Sequence, residues 1–461
     1  MPRPFYTRHA ALTLSVLSLL VACGGESGTP AVIPVTPTTP TQPVAVMGIN
    51  KLNHVVVIYL ENRSFDHLYG EFAGARGIAD AASAPPQLDA RGAAYVTLPQ
   101  PADSPTPAGL PNAPYSLDRF VSINAPTRSL VHQFYEEQRQ INGGRMDHFV
   151  SVSDGLGFTM GYYHTAALPL AKEAAAYTLC DAFFHASYGG SFLNHIWAIA
   201  AATPVFPHAP ATQVVTLDAA GNVVKNGAVT PDGFVVNNLQ PTNSPHAAGA
   251  DAASLVPNQV MPTIGDRLSD KNVDWAWYAE GWNDALAGRA SPAFAFHHQP
   301  FVYFARYADG TAARAAHLKD MAVFDASAVA GTLPAVSFIE PLETHTEHPG
   351  NSIIDGELEV LRIINEVRNG LNWRDTAIII TYDENGGFWD HVAPPTGDRW
   401  GPATRVPTIV ISPFARRNYV DHTTYDTTSI LALIETRWGL APLSTRDAAA
   451  SNMTAAFDFT Q

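Results

Sequence analysis

The pattern of hydrophobic and polar positions contains two long runs that are β-branched and apolar on both faces, 54–60 and 377–382. Such runs are typical of strands buried in a parallel sheet. Shorter runs predict strands at 273–278, 335–339 and 408–411, and helical periodicity predicts helices at 169–176, 192–201, 263–269, 353–368 and 429–438. Alternation of the two element types over this length indicates an α/β layer architecture.

Both long runs end abruptly in oxygen-bearing side chains. Glu61 and Asn62 follow the first run, and Asp383 and Glu384 follow the second. Ligands of open α/β sheets bind beyond the carboxyl ends of the strands, so we expect these four side chains to meet around one cation. An all-oxygen donor set suits Mg²⁺, Ca²⁺ or Mn²⁺, with Zn²⁺ or iron also compatible, so the identity of the metal stays open.

Two stretches inside the globular part, 85–114 and 204–262, lack core periodicity and look inserted. The second contains a hairpin-like piece at 214–224. Such segments either form rims over an active site or have no special role. We expect one catalytic domain at 48–443 and a loosely packed tail at 444–461.

The N-terminus resembles an export signal. Residues 1–22 carry a basic start and a short apolar stretch, too short to span a bilayer, and end before Cys23 in a sequence that resembles a lipoprotein cleavage box. This pattern predicts export and a lipid anchor on Cys23, and the alternative is an ordinary signal peptide. A Pro- and Thr-rich stretch at 23–47 would then tether the domain to the membrane of the cell envelope.

Composition limits the function further. Hydrophobic residues make up 46% of the chain and charged residues 15%, which is ordinary for a globular protein. A net charge of −15 argues against nucleic acid as the main partner. The remaining cysteine, Cys180, lies in an apolar context and is expected to be a small buried hydrophobe.

Ser191 follows two glycines and begins an apolar helical stretch. At a helix N-terminus, free N–H groups and the helix dipole favour an oxyanion, so a serine there can serve as a nucleophile. The alternative is a plain N-cap serine.

Several of the 17 histidines lie at positions where they could act on a phosphoryl group, namely His132, His297, His298, His345, His348 and His391. Protonated imidazoles stabilise the charge on phosphoryl oxygens and can protonate a leaving oxygen. Structural roles are expected for His164, His185 and His422.

Three motifs together resemble the bacterial phosphoesterase family, which contains acid phosphatases and phosphatidylcholine-preferring phospholipases C. They are the stretch 53–67 (NHVVVIYLENRSFDH), the stretch 189–195 (GGSFLNH) and the stretch 381–395 (TYDENGGFWDHVAPP). The stretch 405–413 is similar to the strand that follows in the family.

The resemblance implies an alkaline-phosphatase-like α/β/α sandwich with a mostly parallel central sheet and inserted rim segments. It implies one divalent cation held by Glu61, Asn62, Asp383 and Glu384, with Ser191 beside it. The residues expected to bind phosphoryl oxygens or act on the leaving group are His132, His298 and His348, with His345 as the alternative to His348. Asp390 is expected to be a supporting residue near the metal.

Two departures from the family pattern favour its acid phosphatase branch. Phospholipase members tend to have Thr followed by Pro-Asn in the nucleophile loop, where this chain has Ser191 and Leu193-Asn194. The extra C-terminal domains of the larger phospholipases are also missing from the pattern. We therefore expect metal-dependent hydrolysis of phosphate monoesters through a phosphoserine. The alternatives are a phospholipase C that hydrolyses phosphodiesters of lipid head groups and a non-catalytic metal-binding surface lipoprotein.

Overall fold

The central feature of the computed structural model, which describes residues 48–219 and 221–461, is an eight-stranded sheet. In chain order its strands are β1 (His54–Leu60), β2 (Thr178–Cys180), β3 (Trp275–Ala279), β4 (Leu318–Asp320), β5 (Val336–Glu340), β6 (Thr376–Tyr382), β7 (Thr408–Ile411) and β8 (Tyr419–Asp421). Their order across the sheet is β8-β2-β7-β6-β1-β5-β3-β4. Within the described residues, β7 runs antiparallel to both neighbours, and the other pairings in this sheet are parallel.

Strand β1 lies in the middle of the sheet, between β5 and β6. Its register places Leu60 opposite Tyr382, so the next residues along the chain, Glu61 and Asp383, emerge side by side at the same edge. The backbone N–H of Asp383 donates to the Leu60 carbonyl at 2.8 Å, which extends the ladder to the point where the polar residues begin. This register is what brings the two distant acidic motifs together.

Helices cover both faces of the sheet. Their bounds are α1 (Phe65–Tyr69), α2 (Phe134–Ile141), α3 (Phe149–Val152), α4 (Pro169–Ala176), α5 (Ser191–Ala200), α6 (Ile264–Asp270), α7 (Trp282–Leu286), α8 (Ala312–His317), α9 (Met321–Ala330), α10 (Ile353–Asn369), α11 (Thr427–Trp438) and α12 (Thr445–Ala449). Helices α5 and α11 pack over the face that carries Val57 and Tyr59, and α4, α9 and α10 pack together on the face of Tyr382. The three-layer α/β/α sandwich with a mostly parallel sheet is therefore confirmed.

The long elements match the sequence-based predictions closely. The strands at 54–60 and 408–411 and the helix at 169–176 have the predicted bounds, and the other predicted elements differ by at most two residues at either end. The pattern missed β2, β4 and β8, which are three residues each. Runs this short carry no readable alternation, because their pairing is fixed by neighbouring strands.

The segment 444–461 is packed against the domain, and the expectation of a loose tail is wrong. Ser444 caps α12 in a capping box with Asp447, and Met453 and Ala456 are fully buried. The hydroxyl of Thr178 in β2 donates to the Ala456 carbonyl at 3.1 Å. The Ala-, Thr- and Asp-rich composition of this segment shows no hydrophobic period, although Met453, Ala456 and Phe457 are enough to anchor it.

Both inserted segments are irregular, as predicted. The hairpin-like piece forms a short antiparallel pair, Thr216–Leu217 with Val223–Lys225. Cys180 is fully buried, as expected of a small hydrophobe, and burial raises the pKa of its thiol.

Helices long and apolar enough to cross a membrane do not occur within residues 48–219 and 221–461. The predicted signal peptide at 1–22, the lipidation of Cys23 and the tether at 23–47 fall on residues outside those that the structure describes.

Candidate active site

Ser191 lies next to the acidic strand ends, as the sequence predicted. It is the first residue of α5, and its hydroxyl donates to Oδ1 of Asn62 at 3.3 Å. The backbone N–H of Asn62 donates to Oδ1 of Asp383 at 3.0 Å. The Asp383 carboxylate also accepts from the N–H of Glu384 at 2.7 Å. Asn62 therefore links the candidate nucleophile to the second acidic motif.

The loop that carries Ser191 is held by side chains deep in the protein. Gly189 adopts a φ of 91°, and its N–H donates to the buried Glu137 carboxylate at 2.6 Å. A Cβ on Gly189 would come within 2.7 Å of the Phe134 nitrogen, so only glycine fits. The amide of Asn194 closes the loop, because it donates to the carbonyls of Ser187 and Gly189 at 3.1 Å. These contacts preorganise the hydroxyl of Ser191.

His132 faces the same point from the loop before α2. Its Nε2 lies 3.3 Å from the Asn62 amide nitrogen and 3.6 Å from Oε1 of Glu384. Its Nδ1 donates to the Leu130 carbonyl at 2.5 Å. Burial lowers the pKa of His132 to about 4, so the ring is neutral near neutral pH and Nε2 offers a lone pair.

The predicted metal ligands are buried and leave carboxylate oxygens without partners. Glu61, Asp383 and Glu384 are at most 2% exposed, and Oδ2 of Asp383 and Oε1 of Glu384 have no hydrogen-bond donor. Burial, with Glu61 adding repulsion, raises the pKa of Asp383 well above its ordinary value. Burial and the neighbouring Asp383 do the same to Glu384. A divalent cation would remove this penalty, so the residues fit a metal site.

A second, tighter group of potential ligands lies on the other side of Glu61. Donor atoms of Glu61, His195, His298 and Glu340 lie within 4.8 Å of one another. Nε2 of His298 is 2.6 Å from Oε1 of Glu61, and Nε2 of His195 is 3.2 Å from Oε2 of Glu340. Although burial opposes the charged ring, Glu61 and Glu340 raise the pKa of His298 to about 9. The set Glu61, Asp383 and Glu384 does not form a group this close among the described residues.

Sequence reasoning assigned no role to His195 or Glu340, yet both carried a signal. His195 follows Ser191 by one helical turn, so the two share a face of α5. Glu340 ends β5 just as Glu61 and Asp383 directly follow their strands. An acidic residue at the carboxyl end of a third neighbouring parallel strand is the pattern that predicted the metal ligands.

The structure separates the two alternative histidines. His348 is close enough to influence both Glu61 and His132 electrostatically, and its ring lies 3.3 Å from the Glu343 carboxylate. His345 instead pairs with Glu280 at 2.9 Å, and its side chain is 35% exposed. The two rings therefore differ in placement, with His348 near Glu61 and His132 and His345 paired with Glu280.

Asp390 belongs to a separate buried cluster. Its carboxylate accepts from Arg405 at 2.9 Å and from the Asp66 backbone N–H at 3.1 Å. His391 contacts the Asp66 carboxylate at 2.7 Å, so this group is internally paired. Asp390 thus fixes the loop after the second acidic motif through Arg405.

The histidines expected to be structural have such partners. His185 contacts Glu137 at 2.9 Å, His422 contacts Asp181 at 2.8 Å, and His164 pairs with Glu71. His185 thereby shares the carboxylate that positions Gly189.

A cavity of about 320 Å³ opens beside the Ser191 loop. Its lining residues are neutral except for histidine, namely His132, Gln133, Gly190, Asn226, Gly227, Ala228, Asn237 and Asn238. Several of these come from the inserted segment 204–262, which therefore forms a wall of the cavity. The N–H of Phe192 donates to the Asn238 side chain at 3.3 Å, which ties this wall to α5. The other segment, 85–114, contributes to a different cavity with Met160 and Trp389.

Comparison with known proteins identifies relatives that are similar over most of the chain. Phospholipase C B of Mycobacterium tuberculosis is 28% identical, over 88% of this chain and 78% of that protein. Non-hemolytic phospholipase C of Pseudomonas aeruginosa is 24% identical, over 88% of this chain and 57% of that protein. A solved structure in the alkaline phosphatase superfamily from Vibrio parahaemolyticus aligns with a TM-score of 0.35 and 9% identity, covering 65% of this chain and 66% of that one.

The family assignment rests on the sequence profile and agrees with the site. The profile of the Phosphoesterase family matches residues 52–441, which include both acidic motifs and the Ser191 loop. The protein therefore belongs to the phosphoesterase family and is a phosphoric ester hydrolase.

Proposed function

We propose that this protein hydrolyses phosphodiesters, with lipid head-group esters as the substrate class, through a phosphoserine at Ser191. The observation that carries this preference is the neutral, amide-lined cavity beside Ser191 and His132. A diester needs room for a second ester group, whereas a monoester needs positive groups for a third charged oxygen. The relatives named phospholipase C support the same preference.

Ser191 would be the nucleophile. Its Oγ forms a bond to phosphorus, the bond from phosphorus to the leaving oxygen breaks, and the leaving oxygen takes a proton. Water then attacks the phosphoserine, and Ser191 regains its proton. The N-terminal position of Ser191 on α5 places the positive end of the helix dipole beside the developing negative charge.

Glu61, Asn62, Asp383 and Glu384 would hold one divalent cation. When bound, such an ion supplies positive charge to a phosphoryl oxygen and lowers the pKa of the serine hydroxyl. Asn62 orients Ser191, because its Oδ1 accepts the serine hydroxyl. The buried, unpartnered carboxylate oxygens support this assignment.

The three histidines are proposed to have different roles, which depend on their protonation states. His298 carries positive charge near neutral pH, since its pKa is about 9, and would stabilise phosphoryl oxygens. His132 is neutral, since its pKa is about 4, and its lone pair can accept a proton from the incoming hydroxyl or water. His348, near Glu61 and His132, would protonate the leaving oxygen.

Hydrolysis of phosphate monoesters is the second candidate function. It is favoured by Ser191 and Leu193-Asn194 in the nucleophile loop. A direct comparison separates the two. Wild-type protein is stripped of metal, reloaded with single cations, and assayed from acid to neutral pH. We expect kcat/KM for p-nitrophenyl phosphorylcholine and bis(p-nitrophenyl) phosphate to exceed that for p-nitrophenyl phosphate at least ~10-fold, about 1.4 kcal/mol of transition-state discrimination.

The reverse preference at mildly acid pH would establish an acid phosphatase. Absence of turnover of all three esters with every cation would favour the non-catalytic metal-binding alternative. Ser191→Ala protein serves as the control for hydrolysis by contaminating enzymes.

A further inference from the structure

In the group formed by Glu61, His195, His298 and Glu340, only Glu61 and His298 have a role in the proposed reaction, and His195 and Glu340 have none. All four side chains are at most 2% exposed. They come from β1, α5, a loop and β5, which are far apart in sequence and meet at one end of the sheet. Donor atoms of all four lie within 4.8 Å of one another.

His195 presents a lone pair to this group. Its Nδ1 is 2.7 Å from the Ser191 carbonyl oxygen, which can only accept, so Nδ1 carries the hydrogen. In the neutral ring, Nε2 then bears a lone pair. It lies 3.2 Å from Oε2 of Glu340, with no hydrogen bond of good geometry between the two atoms. Two acceptors at this distance repel unless a proton or a metal cation lies between them, and burial raises the pKa of Glu340 as long as no cation is bound.

Glu340 presents two more acceptors. Neither of its carboxylate oxygens has a hydrogen-bond donor, although the residue is fully buried. An unpaired buried carboxylate is costly, and proteins normally satisfy it with hydrogen bonds, an ion pair or a metal. The nearest cationic group is His298, whose Nδ1 is 3.7 Å from Oε1 of Glu340, too far for a hydrogen bond.

The rings of His195 and His298 are nearly parallel, with centroids 5.4 Å apart and an interplanar angle of 6°. Oε1 of Glu61 and Nε2 of His298 also lack a hydrogen bond of good geometry despite their 2.6 Å separation. Unpartnered donor atoms on all four side chains thus converge on one buried point. Two imidazoles and two carboxylates are a donor set that Zn²⁺ and similar borderline divalent ions prefer.

We propose that Glu61, His195, His298 and Glu340 form a second divalent-cation site, next to the one at Asp383 and Glu384 and sharing Glu61 with it. When bound, this ion would take the place of the proton on His298 and supply the positive charge that the ring carries in the metal-free protein. This inference goes beyond the proposed function, since it requires no particular substrate.

The test is a metal count on the full-length wild-type protein. The protein is stripped with chelator, loaded with Zn²⁺, freed of loose ions by gel filtration and analysed by mass spectrometry. We expect two Zn²⁺ per chain. A parallel Co²⁺ titration, followed by visible absorption, should show two saturable steps. A single step and a single ion in the wild type would overturn the proposal, whatever the variants do.

Variants assign the sites. Glu340→Gln and His195→Asn should each bind one Zn²⁺, whereas the matched control Glu435→Gln, which removes a buried carboxylate on α11, should bind two. Glu384→Gln should also bind one Zn²⁺, because it loses the ion held by Asp383 and Glu384. Retention of two ions in folded Glu340→Gln protein, checked by circular dichroism, would contradict the assignment. Two ions without phosphodiester turnover would leave this inference intact and refute the proposed function.

Discussion

The hydroxyl of Ser191 donates to Oδ1 of Asn62 at 3.3 Å, across 129 positions of sequence. Asn62 stands at the end of β1, and Ser191 stands at the start of α5, so the contact joins a strand end to a helix N-terminus. Both positions supply groups that favour an anion.

Ser191→Ala should lower kcat for every phosphate ester by at least ~10³-fold, because the covalent route is lost. Ser191→Thr should keep part of the activity, since threonine offers the same hydroxyl. The matched control is Ser412→Ala, which removes a buried hydroxyl bonded to the Thr376 carbonyl, away from the site. Steady-state kinetics on the three variants test this prediction. Wild-type turnover by Ser191→Ala would rule out a phosphoserine intermediate at this residue.

Asn62→Gly should separate the side-chain role of Asn62 from its backbone role. Asn62 has a φ of 65°, which glycine adopts freely, so the N–H bond to Asp383 survives. Loss of the amide should reduce kcat/KM by roughly 10²-fold, the scale seen when one preorganised polar group is removed. Unchanged kinetics would mean that the amide does not orient Ser191.

Asn62→Ala should fold less stably than Asn62→Gly, by about 1 kcal/mol, because alanine is strained at this positive φ. Urea denaturation of the two metal-free variants measures the difference. Equal stability would show that the backbone relaxes at this position.

His348→Ala should reduce kcat by roughly 10²-fold, as expected for loss of a proton donor, whereas His345→Ala should leave it nearly unchanged. The reason is placement, since His348 influences Glu61 and His132 and His345 pairs with Glu280. A substrate with a good leaving group, p-nitrophenol, should suffer less from His348→Ala than one with an alkyl leaving group. A larger loss of kcat in His345→Ala than in His348→Ala would identify His345 as the proton donor instead.

Removal of metal should lower the Tm by several degrees and abolish activity. Asp383 and Glu384 then lie buried beside each other without a counter-ion. An ion present at 100 times its Kd stabilises the folded state by about 2.7 kcal/mol. Differential scanning calorimetry with and without chelator measures the shift, and identical curves would argue against a buried cation.

Glu435→Gln should stabilise the protein at pH 7 to 8. Burial and the neighbouring Asp447 raise the pKa of Glu435 to about 9, far above the ordinary value of 4.5. A group with a raised folded-state pKa favours folding most below its unfolded pKa, and this contribution falls as pH rises towards 9. Wild type should therefore lose stability relative to Glu435→Gln across this window, as denaturant melts at several pH values will show.

The parts of the fold that sequence predicts well are those whose own residues determine them. The run 54–60 is rich in β-branched residues and is buried from Val55 to Leu60, as expected of an interior strand. The helix Ile353–Asn369 has a Ser352 cap and a clear apolar face, and its bounds follow from those features. In contrast, Leu318–Asp320 becomes a strand only because Trp277 and its neighbours offer an edge to pair with.

The same distinction holds for the site. Glu61, Asn62, Asp383, Glu384 and Ser191 were predicted because each directly follows or begins an element that the pattern defines. His132 and His348 needed the family resemblance, since loop histidines have no periodicity. The pairing of His195 with Glu340 depends on how α5 packs over β5, which is a tertiary relationship that local sequence does not encode.

The wall of the amide-lined cavity belongs to a surface stretch that forms no part of the central sheet, whereas the acidic motifs are fixed by the register of β1 and β6. The cavity wall and the acidic motifs can therefore change in sequence at different rates during evolution. Substitutions around Asn226 and Asn238 would alter which alcohol is released, while the residues that break the ester bond stay the same. Proteins that share this scaffold can therefore differ in substrate preference while they keep the same catalytic residues.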